Sequence, residues 1–274
     1  MRIALAQFIA GPEKEANLGR MLALTEQAAA AGARLVLFPE CSMLHLPQEQ
    51  PPAPLAEPLD GPFVRALAGA AARRGIAVVA GMFERGPDAE RAFNTVIALD
   101  AAGRLAGAYR KIHLYDAFGY RESDRIAAGT GDTLVFAFEG VTFGVQTCYD
   151  VRFPELSRHL VARGAEVVLL PAAWVHGLLK EGHWEVLVRA RAIENTVYVA
   201  AAGLTGRRFT GSSMLVDPMG VPVVRAGEAE SLLTGEVDME RLRAVRATNP
   251  SLGHVRPDVY ARWTPATSAG AVGR

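Results

Sequence analysis

The stretch "GAEVVLLP" (Gly164–Pro171) nearly repeats the stretch "GARLVLFP" (Gly32–Pro39). In each copy, Gly and Ala precede a short apolar run that a proline ends, and a helical pattern comes before the copy. Short apolar runs between glycine and proline are typical of buried strands. The repeat suggests two related halves, although two buried strands also resemble each other by chance because their compositions are alike.

Strand and helix patterns alternate on both sides of each copy, and no linker separates the halves. This alternation, with added hairpins, predicts an α/β protein whose helices cover layered sheets in a single domain over residues 1–262. Residues 263–274 are expected to be a flexible tail, because the last residues of a chain are often poorly ordered. Helices are predicted over 17–31, 63–74, 154–162 and 183–194, and strands over 1–8, 33–38, 76–82, 93–99, 105–109, 133–138, 141–147, 166–170, 196–201, 212–216, 221–224 and 232–237.

The composition limits the class of protein. Half of the 274 residues are hydrophobic, which is enough for a large buried core. The 29 basic and 29 acidic residues balance, so we expect no nucleic-acid or membrane partner. The N-terminus does not resemble a signal peptide and no eighteen apolar residues run together, so a cytoplasmic location is expected. Free thiols are expected for Cys41 and Cys148 in a reducing compartment.

Residues that can carry out chemistry follow three of the predicted strands. Glu40, Lys111 and Cys148 each come where an apolar run ends, and Glu122 follows in the next loop. In α/β proteins, ligands bind at the carboxyl ends of strands. Taken singly, each residue has an ordinary explanation: a small buried cysteine, a solvated glutamate or a lysine that extends to the surface.

Together these residues stand in motifs that resemble the three signature regions of the nitrilase-type carbon-nitrogen hydrolases, in the same order and with similar spacing. The resemblance covers nearly the whole chain. The motifs are "LFPE" (37–40), "YRKIHLYD" (109–116), "ES" (122–123) and "TCYDVRFPEL" (147–156), with flanking similarity in "LPAAW" (170–174), "HWEVLVRARAIENTVYV" (183–199), "GSSMLVDPMG" (211–220) and "RPDVY" (256–260).

The resemblance implies a four-layer α-β-β-α sandwich and a Glu-Lys-Cys triad. In that triad Glu40 is the general base, Lys111 the electrophilic support and Cys148 the nucleophile, and Glu122 matches a second glutamate of amidase-like members. It also implies a homodimer or larger homo-oligomer, with the "RPDVY" segment near an interface.

The chemistry of the residues agrees with these roles. A free cysteine has a pKa of about 8.5, so a base or a nearby cation must activate it at neutral pH. Glu40 can accept the thiol proton, and attack on a carboxamide then gives an oxyanion for which Lys111 and the backbone N–H of Tyr149 are suitable donors. Water hydrolyses the resulting thioester on Cys148 after ammonia or an amine has left.

Three functions remain open at this point. The first is an amidase that acts on a small linear carboxamide, such as an ω-amide of an acid or a deaminated peptide. The second is a nitrilase or an N-carbamoyl amino acid hydrolase of the same family. The third is a non-catalytic member of the fold that binds a metabolite or a partner protein. The complete set of catalytic residue types favours an enzyme.

Four further side chains are predicted to line the substrate pocket, although packing in the core is the alternative for each of them. They come from the Glu122 loop and from the segment after the second repeat: Tyr115, Phe118, Trp174 and His176.

No cofactor is expected, because the sequence has no Gly-rich phosphate loop. No metal is expected either, since the histidines and cysteines lack metal-ligand spacing.

Amide hydrolysis should therefore persist after exhaustive treatment with EDTA. The measurement is ammonia release before and after chelation. Loss of turnover that zinc restores would contradict the cysteine mechanism.

Overall fold

The computed structural model describes residues 1–263, so the predicted tail lies outside the described residues except for Trp263. The helices are α1 (Lys14–Ala30), α2 (Pro62–Arg74), α3 (Pro154–Ala162), α4 (Lys180–Asn195), α5 (Met239–Thr248) and α6 (Pro257–Tyr260). The strands are β1 (Arg2–Gln7), β2 (Leu35–Leu37), β3 (Ala77–Glu84), β4 (Ala92–Leu99), β5 (Leu105–Arg110), β6 (Asp116–Ala117), β7 (Tyr120–Arg121), β8 (Ile126–Ala127), β9 (Val135–Phe138), β10 (Val141–Val145), β11 (Val167–Ala172), β12 (Tyr198–Gly203), β13 (Met214–Val216), β14 (Pro222–Arg225) and β15 (Ser231–Glu236).

The strands form two large sheets. One has the order β15-β1-β2-β3-β4-β5, with β8 paired to β4, and the other has the order β14-β13-β12-β11-β10-β9. The two copies of the repeat supply β2 and β11, and each of these is the middle strand of a parallel triplet, β1-β2-β3 or β10-β11-β12. The repeated stretches therefore occupy equivalent central positions in the two sheets.

The sheets pack face to face because alternate side chains of each strand point to opposite faces. In β1, Ile3 and Leu5 face the other sheet, whereas Ala4 and Ala6 face the helices. Helices α1 and α2 cover the outer face of the first sheet, and α3 and α4 cover that of the second. The prediction of a four-layer α-β-β-α sandwich is confirmed. The layer between the sheets includes Leu35, Leu37, Val79, Phe143, Val145, Val167 and Leu169.

The structure contains elements that the sequence did not predict, among them the short strands β6, β7 and β8 and the helices α5 and α6. Helix α5 was not predicted, because its apolar face consists of only two buried side chains, Leu242 and Val245. Its start does carry a signal, since the Asp238 side chain accepts hydrogen bonds from the N–H groups of Glu240 and Arg241.

Helix α4 is followed by Thr196, which has the left-handed conformation with φ of 44°. Asn195 stays helical and buried because its side-chain amide donates to the Arg191 carbonyl at 3.0 Å. None of the helices within residues 1–263 combines the length and the apolar character that a bilayer crossing requires.

Candidate active site

The three residues predicted to form the triad meet where strands of both sheets end. Glu40 follows β2, Lys111 follows β5 and Cys148 follows β10, and all three side chains are buried. The Lys111 ammonium donates to Glu40 Oε1 and to Glu122 Oε2, each at 2.8 Å. The structure therefore brings Glu40, Lys111 and Glu122 into direct contact, with Cys148 beside them.

Asn94 also belongs to this cluster, although sequence reasoning missed it. Its side-chain amide donates to Glu40 Oε1 at 2.7 Å and to Glu122 Oε1 at 3.0 Å, so it bridges the two carboxylates. Asn94 lies within β4, where its neighbours are mostly apolar. A polar residue in a buried strand was the only available signal, because its partners are distant in sequence.

The Glu40 carboxylate is oriented by groups from both sheets. Its second oxygen accepts a hydrogen bond from the backbone N–H of Ala173, just after β11, at 2.8 Å. The chain at Glu40 also passes close to Gly81 of β3: a Cβ at Gly81 would lie 2.8 Å from the Glu40 Cα. A side chain there would displace the base, so glycine at this position allows the close approach.

Lys111 and Glu40 remain charged in the folded protein. Burial by itself would raise the pKa of Glu40, but the charge and hydrogen bond of Lys111 lower it overall. Burial would lower the pKa of Lys111, but the charges of Glu122 and Glu40 raise it well above its usual value. An ammonium between two carboxylates leaves the cluster with an excess of negative charge.

This negative charge affects the thiol. Burial and then the charge of Glu40 raise the pKa of Cys148 well above its usual value, so the resting group is a protonated thiol. The arrangement therefore requires a general base rather than a preformed thiolate. Cys148 has φ of 47°, an unusual conformation for a non-glycine residue, at the start of a 3₁₀ turn (Cys148–Arg152). The backbone N–H of Tyr149 belongs to the first residues of this turn, which have no partner within the turn itself.

One buried carboxylate connects the nucleophile turn to the strand that carries the lysine. Asp150 accepts hydrogen bonds from the Tyr109 hydroxyl at 2.7 Å and from the Thr147 N–H at 2.8 Å. His113 Nδ1 lies 2.7 Å from the other Asp150 oxygen. Tyr109 and His113 flank Lys111, so Asp150 fixes the position of Cys148 relative to Lys111.

The cluster lies in a cavity of about 580 Å³. Tyr115, Phe118, Trp174 and His176, the four predicted pocket residues, all line this cavity. The backbone N–H of Tyr115 donates to Glu122 Oε2 at 2.7 Å.

Residues 2–247 match the carbon-nitrogen hydrolase family. The chain belongs to this family. A protein described as a hydrolase from Mycobacterium tuberculosis is 40% identical over 262 residues, which cover 90% of this chain and 92% of that protein. Deaminated glutathione amidase from Escherichia coli is 38% identical over 260 residues, which cover 93% of this chain and 97% of that protein.

A solved structure supports the same assignment. It is a variant of the amidase from Nesterenkonia sp. AN1, in which the acetamide moiety of fluoroacetamide is covalently added at the active site cysteine. The two chains are 29% identical, the match covers 96% of each, and the TM-score is 0.82. The chain is thus an amidase-type carbon-nitrogen hydrolase with the fold of the nitrilase superfamily.

Other residues on the cavity wall of this hydrolase were not predicted as site residues. Cys41 follows Glu40 with φ of 55°, and it is a free thiol, as is Cys148. The pKa of His45 is lowered to about 4 by burial and by the charges of Arg208 and Arg125. The five residues of this kind lie outside the motifs of the sequence, and only the folded chain brings them together. Cys41, His45, Arg125, Lys180 and Arg208 all line the cavity.

The lowered pKa of Glu40 predicts the acid sensitivity of the fold. An unfolded glutamate titrates at about 4.3. As the pH falls below this value, the unfolded chain takes up a proton before folded Glu40 does, so the free energy of unfolding decreases until the pH passes the folded pKa. In urea titrations across acidic pH, Glu40→Gln should show a weaker decrease than the wild type. Glu15→Gln, at an exposed position, should behave like the wild type, and equal slopes in all three proteins would refute the expectation.

Proposed function

We propose that the protein hydrolyses the carbon-nitrogen bond of a small linear carboxamide through a thioester on Cys148. The products are a carboxylic acid and ammonia or an amine. The observation that carries the proposal is the contact of the Lys111 ammonium with Glu40 and Glu122, each at 2.8 Å, beside a buried cysteine on the wall of a cavity. The covalent adduct at the cysteine of the Nesterenkonia amidase supports it.

In the first step, Glu40 removes the thiol proton as the Cys148 sulfur attacks the carbonyl carbon. Negative charge develops on the carbonyl oxygen, where Lys111 Nζ and the backbone N–H of Tyr149 stabilise it. The proton that Glu40 holds passes to the leaving nitrogen, and the C–N bond breaks. The acyl group remains on Cys148 as a thioester.

In the second step, water attacks the thioester carbonyl carbon and Glu40 removes its proton. The C–S bond then breaks, the carboxylic acid leaves, and the proton on Glu40 returns to the Cys148 sulfur. Glu122 acts by holding Lys111 in place, because its Oε2 accepts a hydrogen bond from the ammonium at 2.8 Å. Asn94 keeps the two carboxylates at a fixed separation. The same groups therefore serve acylation and deacylation without rearrangement of the cluster.

The amidase relative suggests the first substrate to test. A relative that covers nearly this whole chain is named deaminated glutathione amidase, so an amide of a deaminated peptide is our first candidate. Ammonia or amine release should be measured against a panel of such amides, simple carboxamides, nitriles and N-carbamoyl amino acids. Faster turnover of nitriles or carbamoyl compounds than of any amide would replace the proposed substrate class. Binding without any turnover would indicate a non-catalytic protein.

The proposed mechanism predicts distinct results for its two central residues. Cys148→Ala should abolish turnover, because the proposed thioester forms on the Cys148 sulfur. Intact-mass analysis of the wild type during turnover should show an acyl adduct, and peptide mapping should place it on Cys148 and not on Cys41. Lys111→Met should lower kcat about a hundred- to a thousand-fold, the usual effect of removing one oxyanion donor.

A different outcome would assign the reaction to other groups. Substantial turnover by Cys148→Ala, together with loss of turnover in His113→Ala or His176→Ala, would indicate a histidine-centred hydrolase. Circular dichroism of each variant should be compared with the wild type, so that loss of activity is not mistaken for loss of folding.

We also propose that the protein forms a homodimer or a larger homo-oligomer. The proposal rests on the family resemblance, and exposed aromatic rings near the C-terminal end of the described chain support it. The rings of Tyr260 and Trp263 are tilted against each other with centres 5.0 Å apart, and Trp263 is 68% exposed. Sedimentation at micromolar concentration should give at least twice the mass of one chain. A strictly monomeric species would contradict the proposal.

A further inference from the structure

Lys180 is a buried cation on the wall of the active-site cavity. It is the first residue of α4, and only 5% of it is exposed. Its ammonium donates to the Tyr115 hydroxyl at 2.8 Å and lies over three aromatic rings, at 4.8 Å from the centre of Tyr115, 5.2 Å from Phe118 and 5.6 Å from Trp174. Within residues 1–263, no carboxylate pairs with it.

This environment differs from that of the other two lysines in the chain. Lys111 binds two glutamates, and Lys14 pairs with Glu57. An ammonium has three N–H donors, and the Tyr115 hydroxyl accepts from only one of those of Lys180. Aromatic faces attract a cation, but they do not replace an anion when the cation is removed from water. Lys180 therefore has the donors and the charge to bind an anionic group.

The position of Lys180 is fixed by its surroundings. Its aliphatic stem lies against Gly177, where an added Cβ would come within 2.8 Å of the Lys180 Cδ. The Trp174 indole N–H donates to the Lys180 carbonyl at 2.8 Å. The preceding residue, Leu179, has φ of 59°, a costly conformation for a leucine. Such strain is found at ligand-binding sites, where the surrounding structure holds it.

The charges around the cavity also favour an anionic ligand. The acidic side chains on its wall are Glu40 and Glu122, and both are bound to Lys111. The wall also carries Lys180, Arg125 and Arg208, so it holds more positive than negative charge although the whole chain is neutral. A cavity with one dominant sign of charge concentrates ligands of the opposite sign.

Tyr115 relates Lys180 to the reacting groups. Its backbone N–H donates to Glu122, and its hydroxyl accepts from Lys180. One tyrosine residue therefore connects the Lys180 ammonium to the catalytic cluster, and both line the same cavity.

We propose that Lys180 binds a carboxylate of the substrate, at the end of the molecule away from the scissile amide. This inference rests on the proposed function, and it narrows the substrate to an amide that also carries a carboxylate. The two remaining N–H donors of the ammonium suit the two oxygens of a carboxylate, and such charge-assisted hydrogen bonds are stronger than those between neutral groups. Lys180 thus determines specificity and takes no part in bond breaking.

The test compares two amides of equal length. Glutaramide has a carboxamide at each end, and in glutaramate a carboxylate replaces one of the two carboxamides. The wild type should have a higher kcat/KM for glutaramate. Lys180→Met keeps the apolar stem and removes the charge, so the ratio of the two kcat/KM values should fall about ten- to a hundred-fold, mainly through KM for glutaramate. Lys180→Arg should retain part of the preference. Lys14→Met, which removes a lysine outside the cavity wall, should keep the wild-type ratio.

Other results would overturn the inference. If Lys180→Met lowers kcat/KM by the same factor for both amides, the role of Lys180 is purely structural. If Lys180→Met keeps the wild-type kcat/KM for both amides, the ammonium does not bind the substrate carboxylate. If the wild type hydrolyses both amides equally well, the cavity has no preference for a carboxylate and the inference is also wrong.

A binding experiment separates this inference from the proposed function. Calorimetry with glutaramate and Cys148→Ala needs no turnover. Binding should weaken by a similar factor when Lys180→Met is added. If the wild type releases no ammonia and forms no adduct, the proposed function fails, but the dependence of binding on Lys180 still holds. If binding is the same with and without Lys180, the inference fails while the hydrolase mechanism stands.

Discussion

The structure of the site depends on one buried ammonium held between two carboxylates. Lys111 can remain charged in the interior only because Glu40 and Glu122 bind it, and each carboxylate is stabilised in turn by the lysine and by Asn94. Removing Lys111 would leave two buried carboxylates without a cation, and removing either carboxylate would take away one of the two groups that hold the ammonium. These contacts hold the side chains of the cluster in one conformation. Exposed side chains would rotate more freely, and the proposed chemistry depends on fixed positions.

The sandwich supplies these groups from both of its sheets. Glu40, Lys111 and Asn94 come from the first sheet, whereas Cys148 and the N–H of Ala173 come from the second. The layer of apolar side chains between the sheets therefore sets the distance between base and nucleophile. Packed interiors deform little, so the geometry of the site follows from the rigidity of this layer.

Much of this arrangement can be predicted from the sequence, because strand ends are marked by local patterns. Glu40, Lys111 and Cys148 each follow an apolar run, and the repeat identifies the central strands. Asn94 and Lys180 could not be predicted in the same way. Asn94 is one polar residue in a strand, and its two partners are 54 and 28 residues away in sequence. The aromatic surroundings of Lys180 come from two loops that only the fold brings together.

The charges in the cavity divide it into two ends. At the thiol end, burial and the charge of Glu40 raise the pKa of Cys148 and keep its proton in place. At the other end, the Lys180 ammonium faces aromatic rings and no acid of the described chain. A carboxylate is thus repelled from the thiol end and attracted to the lysine end. Under the proposed role of Lys180, an amide that carries a carboxylate enters in one orientation, with its carbonyl toward Lys111, where charge develops in the proposed reaction.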